Sequence, residues 1–192
     1  MAAVIDHIGA PALSRLAVPA QATLPDDIRK LIDEQGGDNW IRALSLNPET
    51  ARRFVQYFGS LFGASGQQLA LAERELIAVV VSSANGCGLC ALHHTHALGK
   101  ALGDPAKARR VAVDLHFAEL TPREAALARL ALKITRTPRD IEAADFDRLR
   151  AQGLSEAAIL EAVETASWFN HTNRIFISTG VLPDDRYFSD AA

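Results

Sequence analysis

The sequence predicts an all-α protein, and three observations carry that prediction. Apolar residues recur at helical spacing in one segment after another. The segments open at capping signatures and stop at glycine or proline. Only one short run, Val79-Val80-Val81, has strand propensity, and no second strand candidate exists to pair with it. At 192 residues, 48% of them hydrophobic, the chain is long enough for one domain with its own core.

The first 25 residues include Pro11, Pro19 and Pro25 and few charges, and read as an extended arm lying on the protein or on a neighbouring subunit. Residues 26–185 read as a single all-α domain, and 186–192 as a tail. Pro25-Asp26-Asp27 starts a short helix (Ile28, Leu31, Ile32) that stops at Gly36-Gly37. A short apolar segment follows (Trp40, Ile41, Leu44 and Leu46). Asn47-Pro48-Glu49 then opens a longer helix, with asparagine as cap and proline in the first turn; its apolar face is Phe54, Val55, Phe58, Leu61 and Phe62. The next helix, about 72–84, is apolar almost all round from Leu76 to Val81, and such a helix must be central.

Gly86 breaks that helix, and another begins near Cys87 and runs to about Leu102. Residues 105–115 form an amphipathic helix with Lys107, Arg109 and Arg110. Thr121-Pro122-Arg123-Glu124 is a capping box for a helix ending near Pro138. A shorter helix spans about 140–151. Ser155-Glu156 starts the last, through Ile159, Leu160, Val163 and Ala166. This last helix followed by Asn170-His171-Thr172-Asn173-Arg174 repeats the layout of apolar helix, break and polar start, and reads as a degenerate internal copy of residues 72–102. His171, Asn173 and Arg174 there either line the pocket or cap a helix and pair at a subunit contact, the structural reading being favoured; Asp184, Asp185 and Arg186 read as a solvated tail.

A net charge of −3 leaves no basic footprint for nucleic acid. No run of about 18 apolar residues spans a membrane. Residues 1–16 lack the basic region and apolar core of a signal peptide, so a cytoplasmic location is expected.

The chemistry concentrates in residues 85–96, which hold both cysteines and three of the six histidines. Two cysteines three residues apart give no disulfide framework and point to redox chemistry or metal. At about 100° per residue, Cys90 lies near −60° from Cys87 and His94 near −20°, so two sulfurs and one imidazole share a face. His93 lies at its margin, near −120°, and His96 opposite. A cysteine in a first helical turn is favoured as thiolate, and an imidazole four residues beyond Cys90 is placed to take its proton. An unperturbed thiol is only about 3% ionised near pH 7, so such placement governs rate. If the helices flanking Gly86 run antiparallel, Glu75 and His94 are offset axially by roughly 4.5 Å, within a glutamate's reach. Glu75 then orients His94. Alternatively, it complements its helix N-terminus, as Glu73 would.

Glu75, eleven intervening residues, then Cys87-x-x-Cys90-x-x-x-His94 resembles the signature of AhpD-like alkylhydroperoxidases, in the carboxymuconolactone decarboxylase-like superfamily. Residues 72–87 and the His93-His94 pair resemble its peroxidase-related branch. The likeness extends to the Asn47-Pro48 helix, Leu120-Thr121-Pro122-Arg123-Glu124, and Phe169-Asn170-His171-Thr172-Asn173-Arg174. The resemblance implies an all-α AhpD-like bundle, homo-oligomeric assembly and reduction of a peroxide substrate by a cysteine pair. It implies an external dithiol or thiol-protein reductant and no cofactor. Cys90 corresponds to the thiol that attacks peroxide, Cys87 to its resolving partner, and Glu75 and His94 to the proton relay. Well-characterised members carry a histidine just before the second cysteine, where this chain has Leu89; His93 is an inexact substitute. Two other readings stand beside the peroxidase: a general disulfide oxidoreductase, and a metal-binding or structural module with Cys87, Cys90 and His94 as ligands. The superfamily's lactone decarboxylation gives the cysteine pair no role.

Overall fold

The computed structural model describes residues 12–63 and 65–188. Among them there is no strand, and nine α-helices form the bundle. They are α1 (Asp26–Glu34), α2 (Asn39–Leu44), α3 (Pro48–Phe62), α4 (Leu71–Asn85), α5 (Gly88–Leu102), α6 (Pro105–Val113), α7 (Pro122–Arg136), α8 (Ala143–Arg150) and α9 (Glu156–Thr179). The capping signatures act as read. Asn47 accepts from the Glu49 and Thr50 N–H groups, and Thr121 and Glu124 form a reciprocal capping box. No helix among the described residues is long and apolar enough to cross a membrane.

The centre of the bundle is α4, where every residue from Arg74 to Ser82 is buried. It packs against α5, α6, α7 and α9. Neighbours on all sides are what a helix apolar around its circumference requires, and they hold Val79-Val80-Val81 in a helix despite their strand propensity. Each fully buried aliphatic side chain here, such as Ile77 or Leu98 of α5, contributes about 1.5–3 kcal/mol by leaving water. The start of α4 is tied down by Arg74. Its guanidinium donates to the Leu61 carbonyl, lies 3.9 Å from Glu161 of α9, and sits over the Phe62 ring.

Two expectations are corrected. The last helix has no break: α9 runs through 24 residues, with Asn170 to Arg174 in its interior, so the proposed copy of residues 72–102 lacks the turn that would define it. Burial decides this, because Phe169, Thr172, Asn173 and Phe176 continue the inward stripe of Ile159, Ala162 and Ala166. Nor do residues 184–188 form a solvated tail. Asp184 accepts from the Asn39 N–H, Arg186 pairs with Asp38, and residues Asp185–Phe188 form a 3₁₀ turn against α5.

Of the N-terminal arm, residues 1–11 lie outside the described residues. Residues 13–15 run beside the end of α9: the Arg15 N–H donates to the Thr179 carbonyl, and Leu13 accepts from the Leu182 N–H.

Gly86 reverses the chain between α4 and α5 with φ of 71°. Cys87 N–H reaches back to the Ser82 carbonyl and Gly86 N–H to that of Ser83, which closes α4 with a left-handed cap. A Cβ at Gly86 would meet nothing within 4 Å, so only backbone strain opposes one. Gly86→Ala is therefore expected to cost about 1–2 kcal/mol. Urea unfolding should show a lower midpoint at unchanged slope.

Candidate active site

The turn at Gly86 makes Cys87 the N-cap of α5 and places Cys90 in its first turn. Both are free thiols, their sulfurs are 3.0 Å apart, and they are 2% and 5% exposed. The pair does not share its ionisation evenly. A hydrogen bond from Cys90 pulls the Cys87 thiol below its ordinary value; burial opposes this, and the Cys90 backbone N–H and the Asn173 side chain assist. The same hydrogen bond pushes Cys90 well above the ordinary value, with burial and the Cys87 charge adding to the rise. Of the two, Cys87 is thus the more readily ionised and Cys90 the more firmly protonated.

Glu75 and His94 meet. His94 Nδ1 lies 2.7 Å from Glu75 Oε2, and both residues are buried. Because a carboxylate only accepts, Nδ1 carries the hydrogen and Nε2 is left as the basic nitrogen. The ring is held edge-on against Phe169, with centroids 4.6 Å apart, and beside the stacked pair Phe58 and Phe62. The helix-start role weighed for Glu75 falls to Glu73, which accepts from the Ala70 N–H and pairs with Arg123.

Above the sulfurs lies a chamber of about 320 Å³. Cys90, His93 and His94 line it, whereas Cys87 does not. Aromatic side chains from three helices line it (Trp40 of α2, Phe54 and Phe58 of α3, and Trp168, Phe169 and Phe176 of α9), together with the charged Glu34, Asp38 and Arg186. His96 faces away, as its helical phase requires, and lines a different cleft with Lys100 and Arg109. Among the described residues, no group of three or more His, Cys, Asp or Glu side chains is placed to hold a metal ion.

The late polar cluster divides. His171 and Arg174 are exposed, and Arg174 donates to the Asn170 carbonyl of its own helix. Asn173, also read as structural, is fully buried beside the sulfurs. Its Nδ2 donates to Ser82 Oγ at 3.1 Å, and its Oδ1 accepts from Asn85 Nδ2 at 3.0 Å. The signal for it was the i, i+3, i+4 stripe of α9, on which it occupies an inward position.

The carboxymuconolactone decarboxylase family model matches residues 48–133. An uncharacterized peroxidase-related protein with an alkylhydroperoxidase AhpD core, from Ralstonia eutropha JMP134, is 33% identical with a TM-score of 0.88. That likeness covers 93% of this chain and 96% of the other. A second uncharacterized peroxidase-related protein, from Silicibacter sp. TM1040, is 31% identical with a TM-score of 0.86, over 94% and 97% of the two chains. The debrominase Bmp8 shares the fold at 20% identity and a TM-score of 0.68, over 92% and 94%. No curated protein matches the chain.

Thiolate absorbance followed against pH is expected to rise in two steps, one below and one above the ordinary thiol value. Because Asn173 lowers both thiols, Asn173→Ala should move the lower step upward; an unmoved step would show that its amide does not reach the pair.

Proposed function

Since this chain belongs to the carboxymuconolactone decarboxylase family, we propose that it is a thiol-dependent peroxidase working through a Cys87–Cys90 dithiol–disulfide cycle. The observation that carries this reading is a free thiol, Cys90, facing an aromatic chamber beside an imidazole whose other nitrogen is fixed by a buried carboxylate. A second free thiol lies in contact behind it.

In the proposed cycle, His94 Nε2 takes the proton from Cys90. The thiolate attacks the terminal oxygen of a hydroperoxide, forming an S–O bond as the O–O bond breaks. The electron pair leaves on the second oxygen, which receives the proton held by His94 and departs as an alcohol or water. Cys87, already inclined to thiolate, attacks the sulfenic sulfur and displaces hydroxide, which leaves as water with one further proton. An external dithiol reduces the resulting disulfide by exchange. Glu75 keeps His94 in the tautomer that accepts from the chamber side and steadies the imidazolium while it carries the proton.

The high Cys90 pKa fits this division of labour. An attacking thiol that holds its proton until a base removes it is protected between turnovers. The depth of the pair also speaks against general disulfide exchange with folded proteins, because an incoming disulfide must reach sulfurs no more than 5% exposed.

Peroxide consumption with a small dithiol donor tests the reading. Cys90→Ser is expected to abolish turnover, and Cys87→Ser to leave one oxidation event per chain and no cycle. His94→Gln should slow oxidation by about 10²-fold or more. If both thiols survive a slight excess of hydrogen peroxide and of an organic hydroperoxide, the peroxidase reading is dead.

A further inference from the structure

The chamber holds a second imidazole that the cycle above does not use. His93, the neighbour of His94 on α5, lines the chamber wall together with Cys90, and its ring centroid is 5.2 Å from that of His94. Its Nδ1 lies 3.0 Å from the Tyr187 hydroxyl, which comes from the 3₁₀ turn beyond α9. Tyr187 borders the cleft on the other flank of α5 and is not among the chamber's lining residues. The Nδ1 edge of His93 is thus turned toward Tyr187, and the Nε2 edge is what the ring offers the chamber.

The hydroxyl's own bonding favours one tautomer of His93. Arg186 Nη2 donates to the Tyr187 oxygen at 3.0 Å, and the same nitrogen bonds Asp38. With its oxygen already accepting from a guanidinium, the hydroxyl is free to direct its own hydrogen to His93 Nδ1; in that arrangement Nδ1 accepts and the ring's hydrogen sits on Nε2. The ring is also neutral at physiological pH. Burial, followed by the nearby His94, Arg186 and His96, depresses its pKa to about 3.

We propose that His93, held as the Nε2–H tautomer by Tyr187, is a further catalytic residue that hydrogen-bonds the leaving oxygen of the hydroperoxide as the O–O bond breaks. This rests on the peroxidase reading of the site and adds a role to it. His94 moves the proton from sulfur to the departing oxygen. His93 neither gains nor loses one; its N–H stabilises the negative charge on the alkoxide oxygen until that proton arrives. A neutral imidazole suits this task, since it donates without repelling the imidazolium of His94 beside it. Tyr187 acts through His93 and is a positioning residue.

The test compares two reagents at one sulfur. In a Cys87→Ser background, Cys90 alone reacts, either with tert-butyl hydroperoxide, whose leaving group is a poor alkoxide, or with iodoacetamide, whose iodide needs no donor. Adding His93→Phe is expected to slow the peroxide reaction by about 10²-fold, the loss typical of an oxyanion donor, and to leave alkylation within about twofold. Adding Tyr187→Phe, a change at a half-buried surface position, should slow the peroxide reaction by about three- to tenfold, again with alkylation unchanged. It should also shift the His93 ring-nitrogen NMR signals from the Nε2–H pattern toward a tautomer mixture. If both reagents slow equally, or neither slows, the role assigned to His93 is overturned. If the Cys87→Ser protein does not react with hydroperoxide at all, the peroxidase reading itself is lost, and this role goes with it.

Discussion

One buried hydrogen bond, from His94 to Glu75, constrains the rest of the molecule. A carboxylate with a side chain only 6% exposed is costly unless it is paired, and removing one partner of such a pair costs about 3–5 kcal/mol. The pair spans α4 and α5, so it persists only if those helices keep their register. The left-handed turn at Gly86 sets that register at one end. Arg74, adjacent to Glu75, anchors that residue's end of α4 to α3 and α9, through the carbonyl of Leu61 and through Glu161. The aromatic residues of α3 and α9 then have a fixed imidazole to pack against, and the chamber follows from that packing.

The two sulfurs differ in position as well as in how readily they ionise. Cys87 sits at the cap and is the better thiolate, yet it lies behind the chamber wall. Cys90, one turn along, faces the chamber but keeps its proton. Simple helical phase put both on one face with His94, and it could not separate front from back. That distinction needs α9, whose Asn173 presses on the pair from a position far along the chain.

What was legible in the sequence was local. Asn47, Thr121 and Ser155 cap helices through side-chain contacts with backbone N–H groups two or three residues away, and their signatures read correctly. Glu75, Cys87, Cys90 and His94 were recoverable because helix geometry and one reversal fix their relation. The errors were tertiary. Asn170 to Arg174 look like a break because they are polar, but burial of one face keeps α9 helical through them. Asp184 to Arg186 look solvated because they are charged, yet Asp38, Asn39 and His93, more than ninety residues earlier, supply the partners for this turn. No local pattern announces a contact of that span.

The chain has two tryptophans, Trp40 and Trp168, and both stand in the chamber wall. Indole emission responds to polarity, so the protein carries an intrinsic optical probe of its own chamber. A change of polarity in the chamber falls within that probe's view, with no background from indoles elsewhere in the chain.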